Sequence, residues 1–76
     1  PEQLIPYIHH RIREGTNSLY DDVIHRVERP MLTELLHQVD GNISRAAAIL
    51  GISRSTLRTK LAALGITIDR TIHTSN

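Results

Sequence analysis

The residues best placed to do chemistry lie between Asn42 and Gly65. Four cations, Arg45, Arg54, Arg58 and Lys60, alternate there with the hydroxyls of Ser44, Ser53, Ser55, Thr56 and Thr59, and no acidic residue interrupts them. A solvated helix ordinarily mixes both signs of charge. A one-signed stretch with hydrogen-bonding hydroxyls is the chemistry of an anion-binding surface rather than of a catalyst. The overall net charge of +1 hides this. Residues 1–40 carry four basic and seven acidic groups, net −3, whereas residues 41–76 carry five basic and one acidic, net +4.

Competing chemistries lack their parts. There are five histidines, but His9 and His10 are adjacent and point to different helix faces, while His25 and His37 are too far apart on one helix to share an ion. No His-Glu-x-x-His pattern occurs, and without cysteine neither a thiolate zinc site nor a disulfide is possible. Ser53 and Ser55 stand in no nucleophile-elbow pattern. The expectation is therefore a binding protein that is not an enzyme, with no metal and no cofactor. No stretch reaches the ~20 apolar residues of a membrane span, and nothing resembles a signal peptide, so an intracellular location is the default.

Helices must position the cationic stretch. Leu4, Ile5, Ile8 and Ile12 recur at spacings of three and four, which predicts a first helix ending at Gly15, with Pro6 in its first turn. A second helix is predicted over roughly residues 18–39. Ser18 is its cap, Asp21 completes a capping box, and both Asp21 and Asp22 suit the positive end of the helix dipole. Its apolar residues keep helical spacing on both sides of Pro30, so Pro30 reads as a kink within one helix. Two helices meeting at Arg29 is the alternative. Asp40-Gly41-Asn42 ends this helix and begins a third, residues 43–50; Gly51-Ile52-Ser53 separates it from a fourth, residues 54–64, which Gly65 ends.

Two short helices joined by a glycine-containing turn of three residues form a helix-turn-helix. Ala47 must be small where the helices cross, and Gly51 supplies the positive φ of the turn. Ile49, Leu50, Ile52, Leu57 and Leu61 are expected to face inward. Ser53 caps the fourth helix. Arg54, Ser55 and Thr56 then occupy its first turn, the part of this motif that enters the major groove. Arg58 and Lys60 follow on exposed faces, and Asn42, Ser44 and Arg45 lie where they could hold phosphates. The stripe on the second helix is wider than one short helix could cover. A chain of 76 residues without Phe or Trp also gains from burying more aliphatic surface between two copies.

Two blocks, LYDDVIHRVERPML and GNISRAAAILGISRSTLRTKL, resemble the Fis family. That family spans the nucleoid protein Fis and the Fis-type C-terminal domains of NtrC-like activators, and the likeness runs from about Leu19 to Ile66. It implies an all-α fold of four-helix subunits, intertwined as a homodimer through the first two helices, with a C-terminal helix-turn-helix. The expected interface comprises Ile8, Ile12, Val23, Val27, Met31 and Leu35. The expected partner is double-stranded DNA, contacted by Asn42, Ser44, Arg45, Ser53, Arg54, Ser55, Thr56, Arg58 and Lys60. Arg54 aligns with the family's most base-specific arginine, which reads guanine through O6 and N7. Ser53 stands where Fis has asparagine, and Thr59 where it has lysine.

The chain divides accordingly into dimerisation helices (residues 1–40), the DNA-binding unit (41–66) and a flexible tail (67–76). Opening on Pro1 rather than methionine favours a piece of a larger activator, which would meet the sigma-54 polymerase machinery through its other parts. A free-standing Fis-like protein is the alternative within the family, and a dimerisation module without DNA affinity the alternative outside it. The implied location is the cytoplasm, on the bacterial nucleoid.

Overall fold

The computed structural model describes residues 3–68 and 73–74. Four helices follow one another, α1 (Leu4–Arg13), α2 (Leu19–Gln38), α3 (Ile43–Leu50) and α4 (Arg54–Leu64). The fold is all-α, as expected, and α3 and α4 have the predicted bounds. α2 runs unbroken through Pro30. The two-helix alternative is thereby excluded.

The caps show why the helices end where they do. The Asn42 side chain accepts the Arg45 N–H at 3.0 Å at the start of α3, and Ser53 accepts the Thr56 N–H at 3.1 Å at the start of α4. At the end of α3, Gly51 adopts φ 77° and donates to the Ala47 carbonyl, as does the Ile52 N–H. A Cβ at Gly51 would meet nothing within 4 Å, so glycine is required by the left-handed backbone and not by crowding.

The α2 cap departs from expectation. Ser18 precedes the helix but its hydroxyl caps no backbone N–H; it donates instead to the Asp22 carboxylate at 3.3 Å. Asp22 also accepts from Thr16 Oγ1 at 2.7 Å and from Arg11 Nε at 3.2 Å. The acid that organises this corner is thus Asp22, not Asp21. It gathers side chains from α1 and the turn rather than closing a capping box. The Thr16 hydrogen bond, and after it Arg11, holds this carboxyl below its ordinary value.

The core is confined to the C-terminal part. Its buried members are Leu32, Leu36 and Val39 from the end of α2, Ala46 and Ala47 from α3, Leu57, Leu61 and Leu64 from α4, and Ile66. Leu35, Ile43, Leu50 and Ile52 pack against it, half-buried. Ile49 corrects the sequence reading, because it is 59% exposed. The inward stripe of α3 is Ile43, Ala46, Ala47 and Leu50. Ile49 falls off that stripe by about a quarter-turn or more at 100° per residue.

α1 contributes no buried residue. It is held to α2 by polar contacts at its edges, through Arg11 and Asp22 and through the Arg26 guanidinium 4.2 Å from the Tyr7 ring centroid.

β1 (Ile66–Thr67) pairs antiparallel with β2 (His73–Thr74), Ile66 opposite Thr74. The anchor is apolar: Ile66 is buried and Ile68 packs beside the core. The remaining positions of the tail expectation, 69–72 and 75–76, lie outside the described residues.

Candidate nucleic-acid interface

The α3–α4 pair brings the polar side chains at the starts of its two helices together. Capping by Ser53 uses the N–H of Thr56, which leaves those of Arg54 and Ser55 without an intrahelical partner at the positive end of α4. Asn42 spends its carbonyl oxygen on the α3 cap, so the group it can offer an anion is its amide NH₂. Arg54 Nη1 lies 3.5 Å from Ser44 Oγ, which brings the starts of the two helices together. Asn42, Ser44, Arg45, Ser53, Arg54, Ser55, Thr56 and Arg58 are all exposed. Ser55, Thr56, Thr59 and Lys60 line a shallow hollow along α4. Thr59 donates its hydroxyl to the Ser55 carbonyl at 3.0 Å, so it serves its own helix first.

Lys60 differs from the expectation of a freely exposed cation. Its ammonium donates to Glu28 Oε2 of α2 at 2.8 Å, and its side chain is 39% exposed. The Glu28 hydrogen bond and charge raise its pKa above the ordinary lysine value. An ammonium has three N–H donors, so the pair leaves two of them available. Sequence reasoning missed this residue pair. It also missed Arg29, whose Nη1 donates to the Leu64 carbonyl at 2.7 Å in the last turn of α4. Nothing in the local pattern of α2 marks contacts to residues more than thirty positions away.

The interface residues expected on the first two helices do not converge within one chain. Ile12 is 56% and Met31 43% exposed, Ile8, Val23 and Val27 are half-buried, and only Leu35 reaches the core. Beside them a groove of about 620 Å³ opens between α1 and α2, lined by Leu4, Tyr7, Val27 and Pro30 among others. Among the described residues no cluster of His, Asp or Glu could hold a metal, and no helix is long and apolar enough to cross a membrane.

Comparison with known proteins agrees with this geometry. Residues 24–67 match the family described as bacterial regulatory protein, Fis family. A Fis-like DNA-binding protein of Xylella fastidiosa is 54% identical over 50 residues, 66% of this chain and 56% of that protein. The DNA-binding protein Fis of Histophilus somni is 45% identical over 53 residues, 70% of this chain and 54% of its own length. The DNA-binding transcriptional regulator NtrC of Azospirillum brasilense is 41% identical over 61 residues, 80% of this chain but 13% of the regulator. The matched part thus spans little more than half of the Fis-type relatives. No solved structure matches. The chain belongs to the Fis family of bacterial regulatory proteins, and α3 and α4 form its helix-turn-helix.

Proposed function

We propose that this chain binds double-stranded DNA sequence-selectively as a homodimer, and that it is the DNA-binding domain of an NtrC-like activator. One observation carries the DNA reading. The exposed polar side chains at the starts of α3 and α4 share a surface with the free N–H groups of α4, and no acid lies in either helix. In this reading Arg54 enters the major groove and reads a base, with Ser55 and Thr56 beside it. Asn42, Ser44, Arg45, Ser53 and Arg58 hold phosphates. Lys60 reaches a phosphate while still bound to Glu28.

Support for the dimer comes from the faces that one subunit leaves uncovered. Ile5, Ile12 and Met31 are exposed, and the groove between α1 and α2 is partly apolar. Large apolar side chains left exposed on both helices fit an interaction site. A second copy supplies the matching face by two-fold symmetry.

The activator context is favoured by the extent of the NtrC match, which covers more of this chain than the Fis-type matches do. In that context the sigma-54 polymerase machinery is met by other parts of the activator, and the protein works on the nucleoid in the cytoplasm. The higher identity to the Fis-like protein favours a second context, a free-standing nucleoid protein. Immunoblotting the native gene product separates them, since an activator is several times longer than a Fis-like chain.

The base-reading assignment is tested by substitution. Arg54→Ala is expected to cost about 1–3 kcal/mol on a selected site and to relax sequence preference. Arg58→Ala is expected to weaken all duplexes alike. Equal losses on selected and random duplexes for both variants would remove Arg54 from the reading role.

A further inference from the structure

Two polar contacts tie α4 to α2, and adjacent residues of α2 make both. Glu28 accepts from the Lys60 ammonium at 2.8 Å, and Arg29 donates to the Leu64 carbonyl at 2.7 Å. The Glu28 side chain is only 15% exposed, and both contacts are partly buried. They meet α4 one turn apart, at Lys60 and at Leu64. Apolar packing of Leu57, Leu61 and Leu64 brings α4 against α2 but is non-directional and tolerates sliding and rolling. Hydrogen bonds of defined geometry do not. The Leu64 carbonyl belongs to the last turn of α4, where carbonyls lack helical partners and the dipole favours a cation; Arg29 meets both needs.

An acid beside the one-signed surface of α3 and α4 also needs a reason. By charge alone Glu28 opposes the approach of a polyanion. Its partner is the lysine of the reading helix, and its own helix carries Val27 and Met31 of the uncovered face.

We propose that Glu28 and Arg29 are positioning residues for DNA reading: a two-point clamp that fixes the roll and tilt of α4 on α2, and with it the separation of the two reading helices in the dimer. This rests on the reading of the chain as a DNA-binding homodimer. The clamp makes half-site spacing, rather than bulk affinity, the property that these residues control.

The test uses a duplex selected from a randomised pool by the unaltered chain. The same duplex with its centre longer or shorter by one base pair, and a random-sequence duplex, complete the set. Glu28→Gln is expected to bind the random duplex as well as the parent or better, because an acid is removed. Its preference for the selected spacing over the altered ones is expected to fall roughly three- to fivefold, the scale of a single partly exposed ion pair. Arg29→Met is expected to lose spacing preference in the same way, and Arg29→Lys, which keeps a donor for the Leu64 carbonyl, to retain most of it. Circular dichroism of each sample reports whether the helices are intact. If Arg29→Met unfolds, Glu28→Gln and Arg29→Lys decide the matter. Unchanged spacing preference in Glu28→Gln, or a loss shared equally by every duplex, would overturn the clamp while leaving DNA binding intact. Failure of the unaltered chain to bind any duplex would instead remove the underlying reading, and the clamp with it.

Discussion

Residues 32–66 and residues 3–31 both form amphipathic helices, but they use their apolar faces differently. In the C-terminal part, α3, α4 and the end of α2 converge on one core, and every buried residue of the described chain belongs to it. In the N-terminal part, α1 and the first half of α2 bury nothing fully. They are joined by an aspartate cluster and a cation over a ring, beside half-buried apolar side chains. The shape reflects this: the radius of gyration is 13.9 Å, against about 11 Å for a close-packed chain of this length. One part is complete within a subunit and presents polar groups outward. The other keeps its apolar side chains half-buried or exposed. The division suits the proposed roles, DNA contact for the C-terminal part and pairing with a second copy for the N-terminal part.

The largest effect should come from the packed part. Leu57→Ala removes a side chain that is fully buried at the meeting of α2, α3 and α4. It is expected to cost about 2–5 kcal/mol in denaturant unfolding, a large share of the stability of so small a domain. A loss no greater than that of an exposed residue such as Ile49→Ala would mean that this core is not the folding unit.

Met31→Asp should act on the other part. Met31 is exposed in the subunit, so an aspartate there meets water in a monomer and an apolar partner in a dimer. Two-fold symmetry places the substitution in the interface twice, and each unpaired charge is costly to bury. Sedimentation is expected to show monomers with helical content unchanged. A dimer of normal affinity would move the interface elsewhere. Leu35→Asp is less informative, because Leu35 also packs against the subunit core and its loss strikes both parts at once.

How far these roles are legible in the sequence follows the same division. Cap chemistry is local, so Asn42, Gly51, Ser53 and Gly65 mark the bounds of α3 and α4 by residue type alone. The run without acids marks the polar surface. Periodicity shows that the residues of α1 and α2 require burial, but it does not say against what. Where the structure departs from the sequence pattern, the deciding contact is non-local or finely angular. Ile49 misses the inward stripe by a rotation that apolar character alone does not reveal. Ser18 is drawn from its cap by Asp22, because Thr16 and Arg11 orient that carboxylate. Lys60 finds Glu28 across the fold, a pairing that no spacing rule encodes.

The smallest expected effect is at the corner that joins α1 to α2. The folded-state pKa of Asp22 is lowered, first by Thr16 and then by Arg11. Its contribution is therefore complete above the ordinary carboxylate range and is lost as pH falls below about 4, through the lowered value. Asp22→Asn should remove that pH dependence and lower the melting temperature slightly at neutral pH, with DNA reading by α4 unchanged. An equally steep acid transition in the variant would assign the pH response to other groups.

In the proposed arrangement two copies, joined through their N-terminal parts, present two cationic C-terminal parts to one duplex. Titrating labelled duplex DNA at several salt concentrations, with protein whose mass in solution has been measured, tests it. Arg45, Arg54 and Arg58 of each subunit, with Lys60 shared between phosphate and Glu28, predict two chains per site and a log–log salt slope of roughly −5 to −7. A dimer whose binding is absent or indifferent to salt, or a monomer that binds as tightly, would rule this arrangement out.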